Sequence, residues 1–227
     1  MIKKNSKRIT KVPIVKTEQW ITKYEPKTVD EMILDPKIRK VLSKALVQFP
    51  NIMLIGNPGV GKSTFKKIFK KLETVDVMEV NCSEETGVEV VRTKIKAFAT
   101  ALGFSNRMKY VILEECDFLS EEAQAAFRGL IDFVQDITRF MFLCNDGSKM
   151  IEPIKSRCQV VNINEPPVEE IGNFINKIIE SEKIKVENKL DLVELIDKSY
   201  PDIRKMIVLL QQKVVRKKLP HSMFSSQ

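Results

Sequence analysis

Residues 51–63 read Asn51-Ile52-Met53-Leu54-Ile55-Gly56-Asn57-Pro58-Gly59-Val60-Gly61-Lys62-Ser63. An unbroken apolar run of strand length ends in the loop pattern G-x-x-x-x-G-K-[ST], and a helical run follows it. Glycines let the backbone N–H groups turn inward onto phosphate oxygens. Lys62 supplies a point charge to the terminal phosphates, the Ser63 hydroxyl is a ligand for Mg²⁺, and the helix that starts here adds its positive dipole end. Gly56, Asn57, Pro58, Gly59, Val60, Gly61, Lys62, Ser63 and Thr64 are therefore assigned to a nucleotide, with Ser63 also assigned to its metal ion.

Further strand-length apolar runs lie at Val75 to Val80, Tyr110 to Leu113, Phe140 to Leu143 and Val160 to Ile163. They lack polar alternation, as strands buried on both faces of a parallel sheet do. Between them, apolar residues spaced by three and four predict a helix over 86–102, opened by a Thr86/Glu89 capping box. Another helix is expected after Ser120, with Glu121 and Glu122 in its first turn. Alternating strands and helices give an α/β fold. The third run closes in carboxylates, Tyr110-Val111-Ile112-Leu113-Glu114-Glu115-Cys116-Asp117. Beyond a phosphate loop, Glu114 is expected at the metal and Glu115 at the attacking water. An acidic exit from a strand reads the same way.

After Pro166-Pro167 the pattern changes to helical stretches at about 168–181, 187–198 and 201–217, with no strand between them. The expected organisation is a basic arm at 1–17, an α/β nucleotide domain at 18–165, a small helical domain at 166–217 and a tail at 218–227. The 227 residues carry a net charge of +8, which points to a polyanionic partner or to a solvated basic surface. No run is long and apolar enough for a membrane span, and the basic start lacks the apolar core of a secretory signal. A cytoplasmic or nuclear protein is expected. Four cysteines, with no C-x-x-C pair, are read as reduced core residues. A single histidine, His221, excludes histidine-based catalysis.

With both motifs placed, the chain resembles the small subunits of DNA polymerase sliding-clamp loaders, the AAA+ ATPases of the replication factor C and phage clamp-loader kind. The resemblance rests on Trp20-Ile21-Thr22-Lys23-Tyr24-Glu25-Pro26, on Asn81-Cys82-Ser83 through Arg92, on the box Ser156-Arg157-Cys158, and on Pro201-Asp202-Ile203-Arg204-Lys205. It covers about 20–215. It implies a five-stranded parallel sheet of order 5-1-4-3-2 with a three-helix lid, and ATP with Mg²⁺ held between them. Tyr24 and Pro26 would lie against the adenine. Asn145 would sense the γ-phosphate, Arg204 would reach the nucleotide from the lid, and Arg157 would be an arginine finger offered in trans. Arg92 and Lys149 would contact the DNA backbone, and Arg128 a neighbouring subunit. The implied partners are a sliding clamp, primer-template DNA and other clamp-loader subunits.

The sequence departs from the family at Glu114 and at Glu25, where the pattern has Asp and Arg. Thr86 replaces a basic residue, and Pro201 replaces Gly. The chain stops soon after the lid, where relatives carry a helical collar. Three alternatives stay open: a structural subunit that binds nucleotide but hydrolyses poorly, another DNA-acting AAA+ ATPase, and a small-molecule P-loop kinase.

Overall fold

The computed structural model of the protein describes residues 19–84, 87–101, 107–184 and 190–218. The arm at 1–17, Thr86 of the capping box and His221 lie outside them. The helices are α1 (Trp20–Lys23), α2 (Pro36–Gln48), α3 (Lys62–Lys70), α4 (Val88–Val90), α5 (Lys96–Thr100), α6 (Glu121–Phe133), α7 (Glu152–Lys155), α8 (Val168–Ser181), α9 (Leu190–Ser199) and α10 (Ile203–Lys218). The strands are β1 (Ile52–Ile55), β2 (Val75–Asn81), β3 (Met108–Glu114), β4 (Thr138–Cys144) and β5 (Gln159–Asn162). They form one sheet in the order β2-β3-β4-β1-β5, with every pair parallel. This is the expected order read from the other edge.

The apolar runs alternate between two cores, because successive side chains leave a strand on opposite faces. Met53, Val111, Leu113, Phe140 and Phe142 point to one face, where Val91, Ile95, Ala123 and Phe127 cover them. Ile52, Leu54, Tyr110, Ile112 and Met141 point to the other, against Leu42 of α2 and Phe65 and Phe69 of α3. Burial on both sides explains why β1, β3 and β4 carry no polar alternation. By contrast, β2 is mostly half-buried and β5 exposes Gln159, Val160 and Asn162, so the expected burial on both faces fails at the two edges of the sheet. Cys82, Cys116 and Cys144 are buried and Cys158 is half-buried, so the fourth thiol is less of a core residue than expected.

A third cluster holds the C-terminal helices. Ile171, Ile175 and Ile178 of α8 pack with Leu195 of α9 and with Met206 and Ile207 of α10. Trp20, although N-terminal, is buried in this cluster and not in the sheet cores. α8 matches its predicted span, while α10 starts at Ile203 because Asp202 accepts from the Lys205 amide at 3.0 Å and opens the helix there.

The helix expected over 86–102 is interrupted. α4 passes into a π-type turn at Val91–Ile95 before α5 resumes. Val88, Val90, Val91 and Thr93 crowd the winding with β-branched side chains. The Thr93 hydroxyl also donates to the Glu89 carbonyl at 2.6 Å, a contact that bends helices. The cap residue among the described residues is Gly87, which has no side chain to bond there. Ser120 caps α6 as expected, its hydroxyl accepting from the Ala123 amide at 3.2 Å.

Candidate functional site

Because the sheet is parallel, the C-terminal ends of β1, β3 and β4 share one edge, where open α/β sheets bind ligands. β1 leads into the glycine loop. Gly59 and Gly61 adopt φ of +82° and +112°, a region that favours glycine. A side chain on Gly56 would begin 2.6 Å from the Ile163 carbonyl oxygen. The start of α3 carries no acidic residue and no side-chain cap, so its first amides remain available to an anion. These features fit a polyphosphate. Lys62 is folded back into the loop. Its ammonium donates to the carbonyls of Gly56 (2.5 Å) and Asn57 (3.0 Å) and to Asn145 Oδ1 (2.9 Å). Burial lowers its pKa, and the charge of Arg204 adds to that effect.

Glu115 turns away from β3 with φ of +54°, an uncommon value for a glutamate, and is exposed at the cleft. Glu114 also borders the cleft, but its carboxylate accepts from Lys66 at 2.6 Å. Lys66 lies one turn along α3 from Ser63 and also holds Glu79 at 2.8 Å, while Lys70 pairs with Glu79 from outside. Burial alone would lower the Lys66 pKa, but its carboxylate partners raise it above the ordinary lysine value. Ser63 and Glu114 both face the cleft, so the donor set fits a Mg²⁺ shell in which one carboxylate already has a cationic partner. Asp117 accepts from the Asn145 amide at 3.1 Å and so fixes the tip of β4. Sequence reasoning assigned no role to Asp117 or Lys66. The one signal for Asp117 was a third carboxylate in the same strand exit.

The loop, the two glutamates and Asn145 open onto a cleft of about 670 Å³, within the range of small-molecule sites. Pro58 to Thr64 line it, while Gly56 and Asn57 contribute through the carbonyls that Lys62 binds. Tyr24 and Pro26 form one wall, and Phe174, Ile203, Arg204 and Ile207 of the C-terminal helices form another. The Tyr24 hydroxyl donates to Glu182 at 2.7 Å, which ties the N-terminal wall to the C-terminal helices. Glu25 is held by Lys67 at 2.5 Å, so its replacement of a family arginine has a local partner. The Asp202 carboxylate lies so close to Gly59 that a side chain there would start 2.1 Å from Oδ1.

The sequence pattern of the family described as "ATPase family associated with various cellular activities (AAA)" matches residues 52–165. The chain belongs to the AAA ATPase family. It is similar to a replication factor C small subunit of Methanococcus vannielii, 34% identical over 200 residues, which cover 85% of this chain and 63% of that relative. It is also similar to replication factor C subunit 4 of Arabidopsis thaliana, 34% identical over 217 residues, covering 88% of this chain and 64% of the relative. The AAA chain thus spans less than two thirds of the length of these relatives. Among solved structures, the Thermotoga maritima RuvB Holliday junction branch migration motor matches with a TM-score of 0.64 at 20% identity, over 85% of this chain and 65% of that one. That likeness is one of fold.

Four predicted residues of the AAA chain lie away from the cleft. Arg157 lies two residues before β5, whose Gln159 pairs with Ile52 at the start of β1, so it sits at the opposite end of the strands from the glycine loop. Arg128 and Asp132 lie one turn apart on α6, and Asp132 pairs with Arg157. Arg92 is exposed beside α6, 3.7 Å from Glu122 and 3.8 Å from Glu89. Lys149 is exposed with its ammonium over the Phe118 ring, and the Gln124 amide donates to its carbonyl at 3.0 Å. Arg92 and Lys149 therefore both border the N-terminal half of α6. Among the described residues, no helix is long and apolar enough to cross a membrane.

Proposed function

We propose that the chain is an ATPase subunit of a DNA polymerase sliding-clamp loader, with a nucleotide unit at 18–165 and a lid at 166–217. The observation that carries the reading is the convergence of Lys62, Ser63, Glu114, Glu115, Asn145 and Arg204 on one cleft between them. The glycine loop and α3 hold the phosphates, Lys62 neutralises the terminal ones, and Tyr24 and Pro26 bound the base. Bound Mg²⁺ would supply Lewis-acid polarisation of phosphate oxygens, with Ser63 and Glu114 as its protein shell. Glu115 accepts a proton from the attacking water, and Asn145 positions that water. Arg204 carries the state of the site to the lid. Arg157 serves the site of a neighbouring chain, since it lies at the far end of the strands from its own. Arg92 and Lys149 hold DNA phosphates without reading sequence. The replication names of the 34% identical relatives support this reading. A sliding clamp, primer-template DNA, further subunits and a cytoplasmic or nuclear setting are part of the proposal.

ATP turnover of the chain, measured alone and with primed DNA plus the cognate clamp, tests the proposal. Stimulated turnover is expected. Glu115→Gln should bind ATP normally and lose turnover, and full turnover by this variant would overturn the assignment. The Lys66–Glu114 pair favours a second reading, a subunit that binds ATP and hydrolyses it slowly. Unstimulated, near-zero turnover with intact ATP binding would support that reading.

A further inference from the structure

We propose that Asp132 is the positioning residue of the arginine finger, holding Arg157 with two N–H donors turned toward the nucleotide of an adjoining chain. The inference rests on the reading of Arg157 as a finger in trans. Arg157 Nε donates to Asp132 Oδ1 at 2.6 Å and Nη2 donates to Oδ2 at 2.8 Å, a two-point clasp along one side of the guanidinium. Nη1 donates to the Pro153 carbonyl at 2.8 Å. A guanidinium has five N–H donors. Three are used here, and one remains on each terminal nitrogen. Paired terminal donors are the fork that binds phosphate oxygens in two places.

The backbone is pinned as well. The Arg157 amide donates to the Ile154 carbonyl at 3.0 Å, and its own carbonyl accepts from Asn51 Nδ2 at 3.3 Å. With its carbonyl held by Asn51, just before β1, and its guanidinium by Asp132 of α6, the planar group is fixed at both ends. Both partners stay accessible, with side chains 30% and 53% exposed. Two-point arginine–carboxylate geometry is the case in which an exposed pair does contribute to folding, so nucleotide affinity and the activity of mixed variants are what separate positioning from stability. Arg128 lies one turn before Asp132, and its charge also draws the Asp132 carboxyl down, after the larger effect of Arg157 itself. Asp132 thus joins the two arginines expected at a subunit boundary. Sequence reading did not single it out, because an aspartate on an exposed helical face carries no signal until β5 brings Arg157 beside it.

The test compares Asp132→Ala, Asp132→Asn and Asp132→Glu in ATP turnover of the full chain assembled with primed DNA and clamp. Affinity for a fluorescent ATP analogue is read in parallel. Asp132→Ala should lose on the order of 10²-fold in kcat, the effect of a misplaced catalytic group, with nucleotide affinity unchanged. Asp132→Asn should also lose activity, and Asp132→Glu should recover most of it. Mixing supplies the decisive readout. Asp132→Ala mixed with Lys62→Ala should regain activity, because one chain brings an intact cleft and the other an intact finger. Asp132→Ala mixed with Arg157→Ala should stay inactive, because neither brings a working finger. If Arg157→Ala mixed with Lys62→Ala shows no recovery, the trans reading fails and this inference falls with it. If that pair recovers while Asp132→Ala and Asp132→Asn turn over like the wild type, only the role of Asp132 is overturned. Failure of Asp132→Ala to complement Lys62→Ala, while Arg157→Ala does, would show a defect in its own cleft and also overturn it.

Discussion

The Lys62 ammonium donates to Asn145 Oδ1 at 2.9 Å, so the tip of β4 touches the phosphate loop of β1 directly. The two strands are sheet neighbours, with Ile55 opposite Cys144. Asp117 completes the arrangement by accepting from the Asn145 backbone amide, which ties β3 into the same corner. A lysine depressed by burial is thereby given a neutral acceptor, and its charge remains available for phosphate.

Substitutions at the two ends of this contact should separate binding from chemistry. Lys62→Ala removes the charge and should weaken ATP binding by at least about tenfold, the scale of a lost charge-assisted contact. Asn145→Ala leaves that charge in place and should keep ATP binding within a few-fold. It should slow single-turnover hydrolysis by about 10²-fold, the loss typical of one positioning group. Asn145→Asp places a carboxylate against Lys62 and should reduce affinity as well as rate. Equilibrium titration with a fluorescent nucleotide and rapid-quench hydrolysis measure the two effects independently.

Gly59 meets two separate constraints, which can be told apart. Its φ of +82° costs a side-chain-bearing residue about 1–2 kcal/mol. Asp202 blocks the space in which a Cβ would start. Gly59→Ala should therefore lose most nucleotide affinity. Gly59→Ala combined with Asp202→Ala should recover only part of it, because the second change removes the clash and leaves the backbone conformation strained. Full recovery would mean that the contact with the C-terminal helices, and not the loop conformation, sets affinity.

The fold could be read from the apolar runs because both faces of the three central strands are covered, so continuous hydrophobicity carried the signal there, while the edge strands β2 and β5 are only partly buried. The cleft was legible where a motif fixed the backbone, at Gly56 to Ser63, and where a strand ended in acid, at Glu114 and Glu115. The π-type turn at Val91–Ile95 was hidden, because a wider turn keeps almost the same apolar spacing as an α-helix. Trp20 could not be assigned to the cluster with Ile175 and Met206, since sequence distance conceals that packing. Lys66, Asp117 and Asp132 were missed for one reason: each acts through a partner on another element. Their residue types say nothing until the sheet order places Glu114, Asn145 and Arg157 beside them.

Lys66 compensates Glu114 and Glu79 together, and this has consequences for metal binding and for pH. Lys66→Met keeps the stem and removes the cation. Glu114 then offers Mg²⁺ an uncompensated charge, so the Mg²⁺ concentration for half-maximal ATP binding should fall by several-fold in a metal titration. The pH effect follows from Glu79. Burial raises its pKa, but the hydrogen bonds from Lys66 and Lys70 outweigh this and hold it below the ordinary glutamate value. A depressed carboxyl contributes stability that is present above the unfolded value, about 4.3, and is lost as pH falls through the lower folded value. Wild type should therefore be more stable than Lys66→Met at pH 6, with the gap closing toward pH 3. Urea midpoints at several pH values check it, and a gap that widens in acid would refute the account.

Gln124 is a buried amide with every bond directed at backbone. It is 2% exposed. Its Nε2 donates to the carbonyls of Leu119 (3.2 Å) and Lys149 (3.0 Å), and its Oε1 accepts from the Ile151 amide at 2.9 Å. It therefore joins α6 to the loop that carries Lys149. Gln124→Met keeps most of the volume and strands backbone groups, at a cost of about 1–3 kcal/mol. Gln124→Ala adds a cavity and should cost about 2–5 kcal/mol. Gln124→Glu should be the most damaging at pH 7, because a carboxylate would face two carbonyl oxygens and be buried without a cation. Burial raises a carboxyl's folded pKa, so the penalty is present while the group is forced to ionise and is relieved as pH falls through the raised value. The Glu variant should thus gain stability relative to the Ala variant between pH 7 and pH 5, where a protonated carboxyl can donate to one of those carbonyls. Urea denaturation of the three variants at both pH values gives the order. If Gln124→Glu matched the wild type at pH 7, the amide would not be making the two donated bonds that hold the Lys149 loop.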